Sequence, residues 1–458
     1  MADPLTTRRV PCPIAAHARQ TPGAPAVIVG NEVVTYGRLD GWIEGVAAEL
    51  RARGVKRGDR LALTGREDVD GIVRFWGALR CGGVVVVMSP RLPPAALRER
   101  LDTLGAIDIG AIPISWVEPA DIPVFDLDAP AVALYTSGSS GTPKAALLTV
   151  GNLYFNAMGS FAAIPLGAGD RWVLSLPLYH VSGIGILVRA AWAGAAVVLP
   201  GKEALGELIA RRKVTHVSLV PTQLLRLLEG GVRPDGLKAV LLGGSQIPGG
   251  LLERALAAGW PIHTTYGLTE TASQVTTTRG GAGLDTLQTA GTVLPHRELR
   301  IDAAGEIHVR GEVRFAGYLT PDGLVMPFDA HGWYATGDLG SIDARGRLRV
   351  IGRKDNLFIS GGENIQPEEI EEVMAQCPGV VRSVVVPVSD AVYGARPFAF
   401  LERDAAFAGE AALRSFLEAR LPRFKIPVAF ANWPEDAPAG MKPARRWFEE
   451  RAGLMGNC

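Results

Sequence analysis

Leu39, Trp42, Ile43, Val46, Ala47 and Leu50 recur at three- and four-residue spacing, with polar residues between them. That period gathers the apolar set on one stripe of a helix. Thr35 is the predicted N-cap, where a hydroxyl satisfies an orphan amide, and Gly54 the predicted stop. Continuous apolar runs at 61–64, 84–88, 132–135, 172–174, 197–199, 217–220 and 240–242 read as strands. Helical patterns around 72–79, 97–104 and 184–192 separate several of them. Strands without a polar face, alternating with helices, predict parallel sheets covered on both sides.

From about residue 295 the texture changes. Segments 307–309 and 348–351 read as exposed, alternating strands between Gly and Asp turns. Beyond Asn356 the pattern is compact α+β: a helix over 367–376, a strand over 381–386 and a helix near 413–420. A chain of 458 residues exceeds what one hydrophobic core usually supports. The boundaries expected are 1–352 for a large domain, 353–357 for a hinge and 358–458 for a small one.

Lysine plus arginine and aspartate plus glutamate number 47 each, so no basic excess points to nucleic acid. Cys12, Cys81, Cys377 and Cys458 lie far apart, and the histidines lack metal-ligand spacing. Reduced thiols in a cytoplasm are therefore expected. Residues 1–16 lack the sustained apolar core of a signal peptide. The run 183–199 is broken by Arg189 and Gly194, which predicts a helix and a strand rather than a membrane span.

Six segments, in four groups, carry chemistry. Tyr135-Thr136-Ser137-Gly138-Ser139-Ser140-Gly141-Thr142-Pro143-Lys144 follows an apolar strand and precedes a helical stretch near Val150. Its glycines and small hydroxyl residues expose backbone amides, and Lys144 adds a cation, a combination suited to polyphosphate. It is not a Walker A loop, because its glycines are too closely spaced. Ala145, after the lysine, reads as helix-compatible. Leu242-Gly243-Gly244-Ser245 and Tyr266-Gly267-Leu268-Thr269-Glu270-Thr271 follow strands. The first lets a flat base approach the backbone. In the second, Tyr266 offers a face to a purine, Thr269 a hydroxyl to a phosphate, and Glu270 a hard oxygen to Mg²⁺. Tyr334-Ala335-Thr336-Gly337-Asp338 and Gly352-Arg353-Lys354-Asp355 place a carboxylate where ribose hydroxyls can be held. Ser360-Gly361-Gly362-Glu363-Asn364 leads to a proline-started helix whose Glu368 and Glu369 read as ordinary first-turn acids.

Together these segments resemble the superfamily of acyl-CoA synthetases, adenylation domains and luciferases, from about residue 10 to the C-terminus. The resemblance implies an α/β fold, with a large N-terminal domain of layered sheets and helices and a small mobile α+β C-terminal domain. It implies ATP, Mg²⁺, coenzyme A and a small carboxylic acid as the molecules handled. Thr136 to Lys144 would hold the ATP phosphates and Glu270 the metal. Gly244, Ser245, Tyr266 and Gly267 would border the adenine, with Asp338 and Arg353 on the ribose. Gly361 and Gly362 would line a thiol channel once the small domain turns about Asp355. The family's C-terminal lysine is matched by Lys442 in Gly440-Met441-Lys442, one residue longer than usual, with Arg445 and Arg446 as nearby competitors. Lys442, Lys144 and Glu270 are the expected catalytic groups. No covalent enzyme intermediate is expected, and self-association is left open.

Arg189 decides between acids. A charge inside the apolar helix 184–192 needs a partner, and the second carboxylate of a dicarboxylic substrate would provide one. The alternative is an internal salt bridge or a surface position. Leu176-Pro177-Leu178-Tyr179-His180-Val181-Ser182-Gly183, leading to Arg189, looks most like the o-succinylbenzoyl-CoA synthetase branch of menaquinone biosynthesis. That resemblance places His180, Ser182 and Arg189 around the acyl group. Ligases for malonate, aryl or fatty acids, loading of a carrier protein, and a non-catalytic nucleotide-binding protein are the competing readings.

Overall fold

The computed structural model describes residues 7–136, 144–390, 392–438 and 445–455. The expected site residues Ser137, Gly138, Ser139, Ser140, Gly141, Thr142 and Lys442 lie outside the described residues.

Two large sheets build the N-terminal domain. The first has nine strands, in the order Thr292–Val293, Ser273–Thr277, Ile262–Leu268, Ala239–Leu242, His216–Leu219, Arg171–Val173, Ala196–Leu199, Pro25–Val29, Glu32–Thr35. Its six strands from Ile262–Leu268 to Pro25–Val29 are parallel, and the strands at both edges are antiparallel. The second sheet runs Gly323–Val325, Gly317–Thr320, Lys144–Thr149, Pro130–Thr136, Val84–Met88, Arg60–Thr64, Ile107–Asp108. It is parallel only from Pro130–Thr136 onward.

The period-two geometry of a strand explains the continuous apolar runs. Val85 and Val87 belong to the main core between the two sheets, whereas Val84, Val86 and Met88 pack in a second cluster on the other face. Each face therefore removes its own apolar set from water. The main core also takes in the helices Tyr36–Ala52, Val69–Arg80, Val150–Phe161 and Val181–Ala193. The Thr35 hydroxyl accepts from the Arg38 amide at 3.3 Å, and Gly54 follows the helix with φ +82°.

A four-stranded antiparallel sheet follows: Arg297–Ile301, Glu306–Gly311, Tyr334–Ile342, Leu348–Arg353. The expected exposed strand at 307–309 is not exposed. Ile307 and Val309 are fully buried with Val275 and Leu348, because this sheet lays its apolar face on the strand Ser273–Thr277. Beyond the turn Lys354–Asn356, the small domain pairs Val380–Asp390 with Gly394–Arg403 and Phe430–Asn432. Helices Pro367–Met374 and Glu410–Glu418 close one core, and Arg445–Met455 covers the opposite face through Phe448 and Ala452. The fold is thus α/β with a large N-terminal and a small α+β C-terminal domain.

Two local expectations are corrected. Lys144–Thr149 is a strand, antiparallel to Pro130–Thr136 with Lys144 opposite Thr136. Ala145, read as helix-compatible, is therefore a strand residue, while the helix expected near Val150 is present as Val150–Phe161. Tyr266 likewise lies on a strand, Ile262–Leu268, bulged at Tyr266/Gly267, with only a 3₁₀ turn, Thr269–Thr271, after it.

Candidate active site

The ends of three sheets meet around Glu270. Its buried carboxylate accepts from the Tyr318 hydroxyl at 2.7 Å, and Tyr318 meets the Tyr334 hydroxyl at 3.0 Å. Burial, with Glu270 adding to it, holds the Tyr318 phenol far above its usual pKa, so it stays a proton donor. The exposed Lys144 places its ammonium 5.6 Å from the Tyr318 ring centre. A cation and a buried carboxylate thus share one aromatic side chain. The second oxygen of Glu270 has no hydrogen-bond partner among the described residues, which fits a hard-cation ligand such as Mg²⁺.

Tyr334 opens the strand that carries Asp338. Asp338 accepts from the Tyr266 hydroxyl at 2.7 Å and from Arg353 Nη1 at 3.0 Å. Tyr266, expected beside the adenine, and Asp338 and Arg353, expected on the ribose, are therefore brought together. Thr336 shapes this turn, donating to the Ile307 carbonyl and accepting the Asp338 amide. Glu306 braces it, accepting from the Gly337 amide at 3.0 Å and from Lys354 Nζ at 2.7 Å. Glu306 approaches Asp302 and His308 closely enough to hold a cation, yet its oxygens serve Gly337 and Lys354, and Asp302 meets His308 Nε2 at 3.1 Å. That trio is a structural brace. Gly244 and Ser245 sit exposed after the end of Ala239–Leu242, the strand paired with the one that carries Tyr266.

Arg189 lies on the helix Val181–Ala193 and is 1% exposed. Its Nη1 donates to Gln274 Oε1 at 3.1 Å, and the guanidinium stands 4.8 Å from the Trp172 ring centre. Among the described residues it has no carboxylate partner, and its Nε has no partner at all. Neither the internal salt bridge nor the surface position is therefore found. Burial pulls its pKa down to about 9, which still leaves a cation at pH 7. Gly185, one turn earlier, makes room: a Cβ there would come within 3.0 Å of Nη1. Ser182, half-buried, shares the Arg189 face two turns toward the N-terminus, and His180 is the exposed N-cap. Gln274 pairs across the sheet with Gly267, so the partner of the arginine lies one strand from Tyr266 and Gly267.

Gly361 and Gly362 form the turn between Phe358–Ser360 and Glu363–Ile365, both with positive φ. The Gly361 amide donates to the Tyr393 carbonyl at 2.9 Å. No hydrogen bond among the described residues joins this turn to Tyr266, Glu270 or Asp338. The start of the small domain does reach the loop after Ala239–Leu242, where Gln246 Nε2 donates to the Glu368 carbonyl at 3.3 Å. Glu368 is more than a first-turn acid: its carboxylate takes hydrogen bonds from Asn356 and Gln366 and faces Arg445.

Sequence reasoning missed Gln274, Trp172 and Tyr318, since none stands in a glycine-rich or charged motif. It also left Arg445 and Arg446 as competitors of Lys442. Arg445 is committed elsewhere, to the buried Glu371 carboxylate at 2.8 Å and to the Val385 carbonyl. Arg446 is 79% exposed beside Glu450. Arg445→Ala should leave Glu371 buried without a counter-charge and destabilise the small domain by about 3 kcal/mol. Denaturant unfolding monitored at the small domain's Trp433 and Trp447 checks this, with Arg446→Ala within about 0.5 kcal/mol of wild type.

Known families account for this arrangement. Residues 14–107 and 108–319 match the AMP-binding enzyme family, and 369–437 match the AMP-binding enzyme C-terminal domain. The chain belongs to the AMP-binding enzyme family. It is 36% identical over 449 residues to the 2-succinylbenzoate–CoA ligase of Escherichia coli (strain K12), covering 95% of this chain and 97% of that one. Among solved structures it resembles the o-succinylbenzoate CoA synthetase (MenE) of Bacillus subtilis in complex with the acyl-adenylate intermediate OSB-AMP. That match has a TM-score of 0.86 at 29% identity, over 96% of this chain and 98% of the other. The same Bacillus enzyme in complex with ATP and magnesium ion gives 0.85 at 30% identity, over 96% and 99%. Among the described residues no helix is long and apolar enough to cross a membrane.

Proposed function

We propose that this protein is an AMP-forming acid–thiol ligase converting o-succinylbenzoate to o-succinylbenzoyl-CoA in menaquinone biosynthesis, in the cytoplasm. The observation that carries the choice of acid is Arg189, a buried cation with unspent donors and no anionic partner among the described residues. A buried charge held this way costs stability unless a ligand pairs with it. A second carboxylate supplies the missing anion, whereas a fatty or simple aryl acid would leave the arginine unsatisfied.

The chemistry needs few groups. One carboxylate of the acid attacks the α-phosphorus of ATP, forming the acyl-adenylate and releasing pyrophosphate. The thiol of coenzyme A then attacks the acyl carbon and AMP leaves. The first step brings two anions together, and a cation about 4 Å away is worth on the order of 4 kcal/mol at an effective dielectric of 20. Lys144 and Lys442 are the residues read in that role. Mg²⁺, held by Glu270, supplies further charge neutralisation on the phosphates when bound. Tyr266, Gly244 and Ser245 border the base, Asp338 and Arg353 the ribose, and Thr136 to Thr142 the phosphates. His180 and Ser182 shape the acyl side. The small domain turns at 353–357, bringing Gly361 and Gly362 to the thiol.

Pyrophosphate exchange into ATP, run with a panel of acids, tests the reading. O-succinylbenzoate should support exchange best, well above malonate, octanoate, benzoate and the analogue lacking the ring carboxylate. Added coenzyme A should yield the thioester. Equal exchange with the monocarboxylic analogue, or acyl-AMP that never becomes thioester, would overturn it.

A further inference from the structure

Among the described residues, Arg189 donates its hydrogen bond to one side chain. Gln274 is 1% exposed, and its carbonyl oxygen faces Nη1 of Arg189 at 3.1 Å, while its Nε2 donates to Thr277 Oγ1 at 2.7 Å. A guanidinium has donors only, so the amide must turn its oxygen to the arginine. The Thr277 hydroxyl donates to the Thr276 carbonyl and accepts from the Gln274 amide, which locks the same orientation from the other end.

The backbone beneath Gln274 is pinned as firmly. Asn156 Nδ2 donates to the Thr271 and Gln274 carbonyls, each at 3.0 Å, and Arg297 donates to the same Gln274 carbonyl. Between those anchors Ala272 and Ser273 hold positive φ, +54° and +115°. Such strain persists only where the surroundings over-determine it, and it concentrates at ligand sites. Gly267 permits the approach, since a Cβ there would fall 1.6 Å from the Ser273 carbonyl oxygen.

We infer that Gln274 is a positioning and specificity-determining residue, a neutral acceptor that orients Arg189 toward the second carboxylate without neutralising it. A carboxylate at this position would satisfy the guanidinium permanently and compete with the substrate. An amide takes one N–H and leaves Nε without a hydrogen-bond partner among the described residues, with the ring of Trp172 supporting the plane. Trp172 is itself held, its Nε1 donating to Ser218 Oγ at 3.2 Å. This inference rests on the proposed pairing of Arg189 with the substrate.

The test compares Gln274→Glu and Gln274→Met with wild type, using o-succinylbenzoate and the analogue lacking the ring carboxylate. Gln274→Glu should raise KM for o-succinylbenzoate tenfold or more and cut the kcat/KM ratio between the two acids at least tenfold. Its Tm should equal or exceed that of wild type, because the buried cation gains a counter-charge. Gln274→Met should raise the same KM several-fold with a smaller change in kcat. A purely structural glutamine predicts otherwise: lower Tm in both variants and equal losses on both acids, a result that overturns the inference. Arg189→Leu, run alongside, separates the two failures. If it leaves KM for o-succinylbenzoate unchanged, the substrate reading itself falls. If it raises KM while Gln274→Glu does not, only the role of Gln274 falls.

Discussion

Arg189→Leu is expected to raise KM for o-succinylbenzoate about thirty- to a thousand-fold while leaving the enzyme folded. The magnitude follows from the site. Removing one partner of a buried, hydrogen-bonded charge pair costs about 2–4 kcal/mol, and 1.4 kcal/mol is a factor of ten. Here the guanidinium is 1% exposed, with no competing carboxylate among the described residues to soften the loss. The fold should survive, because leucine removes a buried charge and keeps apolar contact with Trp172 on a helix already in the main core. The monocarboxylic analogue sets the control: its kcat/KM should change little, or rise as the pocket becomes apolar. Steady-state kinetics with both acids and a thermal melt check the result. An unchanged KM would show that the arginine meets no part of the acid.

Lys442→Ala is expected to lower acid-dependent pyrophosphate exchange by a factor on the order of 10²–10³, the range for removing one donor aimed at developing charge. Thioester formation from synthetic acyl-adenylate and coenzyme A should fall far less, since no second anion then has to approach the α-phosphate. The neighbouring arginines cannot substitute. Arg445 is tied to Glu371, and Arg446 lies in solvent beside Glu450. Single-turnover measurement of the two half-reactions separates these outcomes. Equal losses in both would point to a folding defect instead of lost charge stabilisation.

The order of helices and strands was legible because local rules govern it. Thr35 caps where a hydroxyl before an apolar-periodic run should cap, and the valine run Val84–Met88 is a strand buried on both faces. Environment was less legible. Ile307 and Val309 alternate like residues of an exposed strand, yet a second sheet covers them. Lys144–Thr149 carries residues that suit a helix or a strand, and pairing with Pro130–Thr136 decided for the strand. Propensity is a weak prior where a ladder partner is waiting.

The sequence by itself determined the fold class, the glycine-rich and acidic motifs, and the presence of a charge inside an apolar helix. Each of these is written in short-range spacing. Only the tertiary structure decided that this charge has no carboxylate partner among the described residues, that Gln274 and Trp172 hold it, and that Tyr318 joins Glu270 to Lys144. Those partners stand 85, 17 and 48 positions away along the chain, the last counted from Glu270 to Tyr318. No local pattern marks them, because contacts at that separation arise only when sheets and helices have packed.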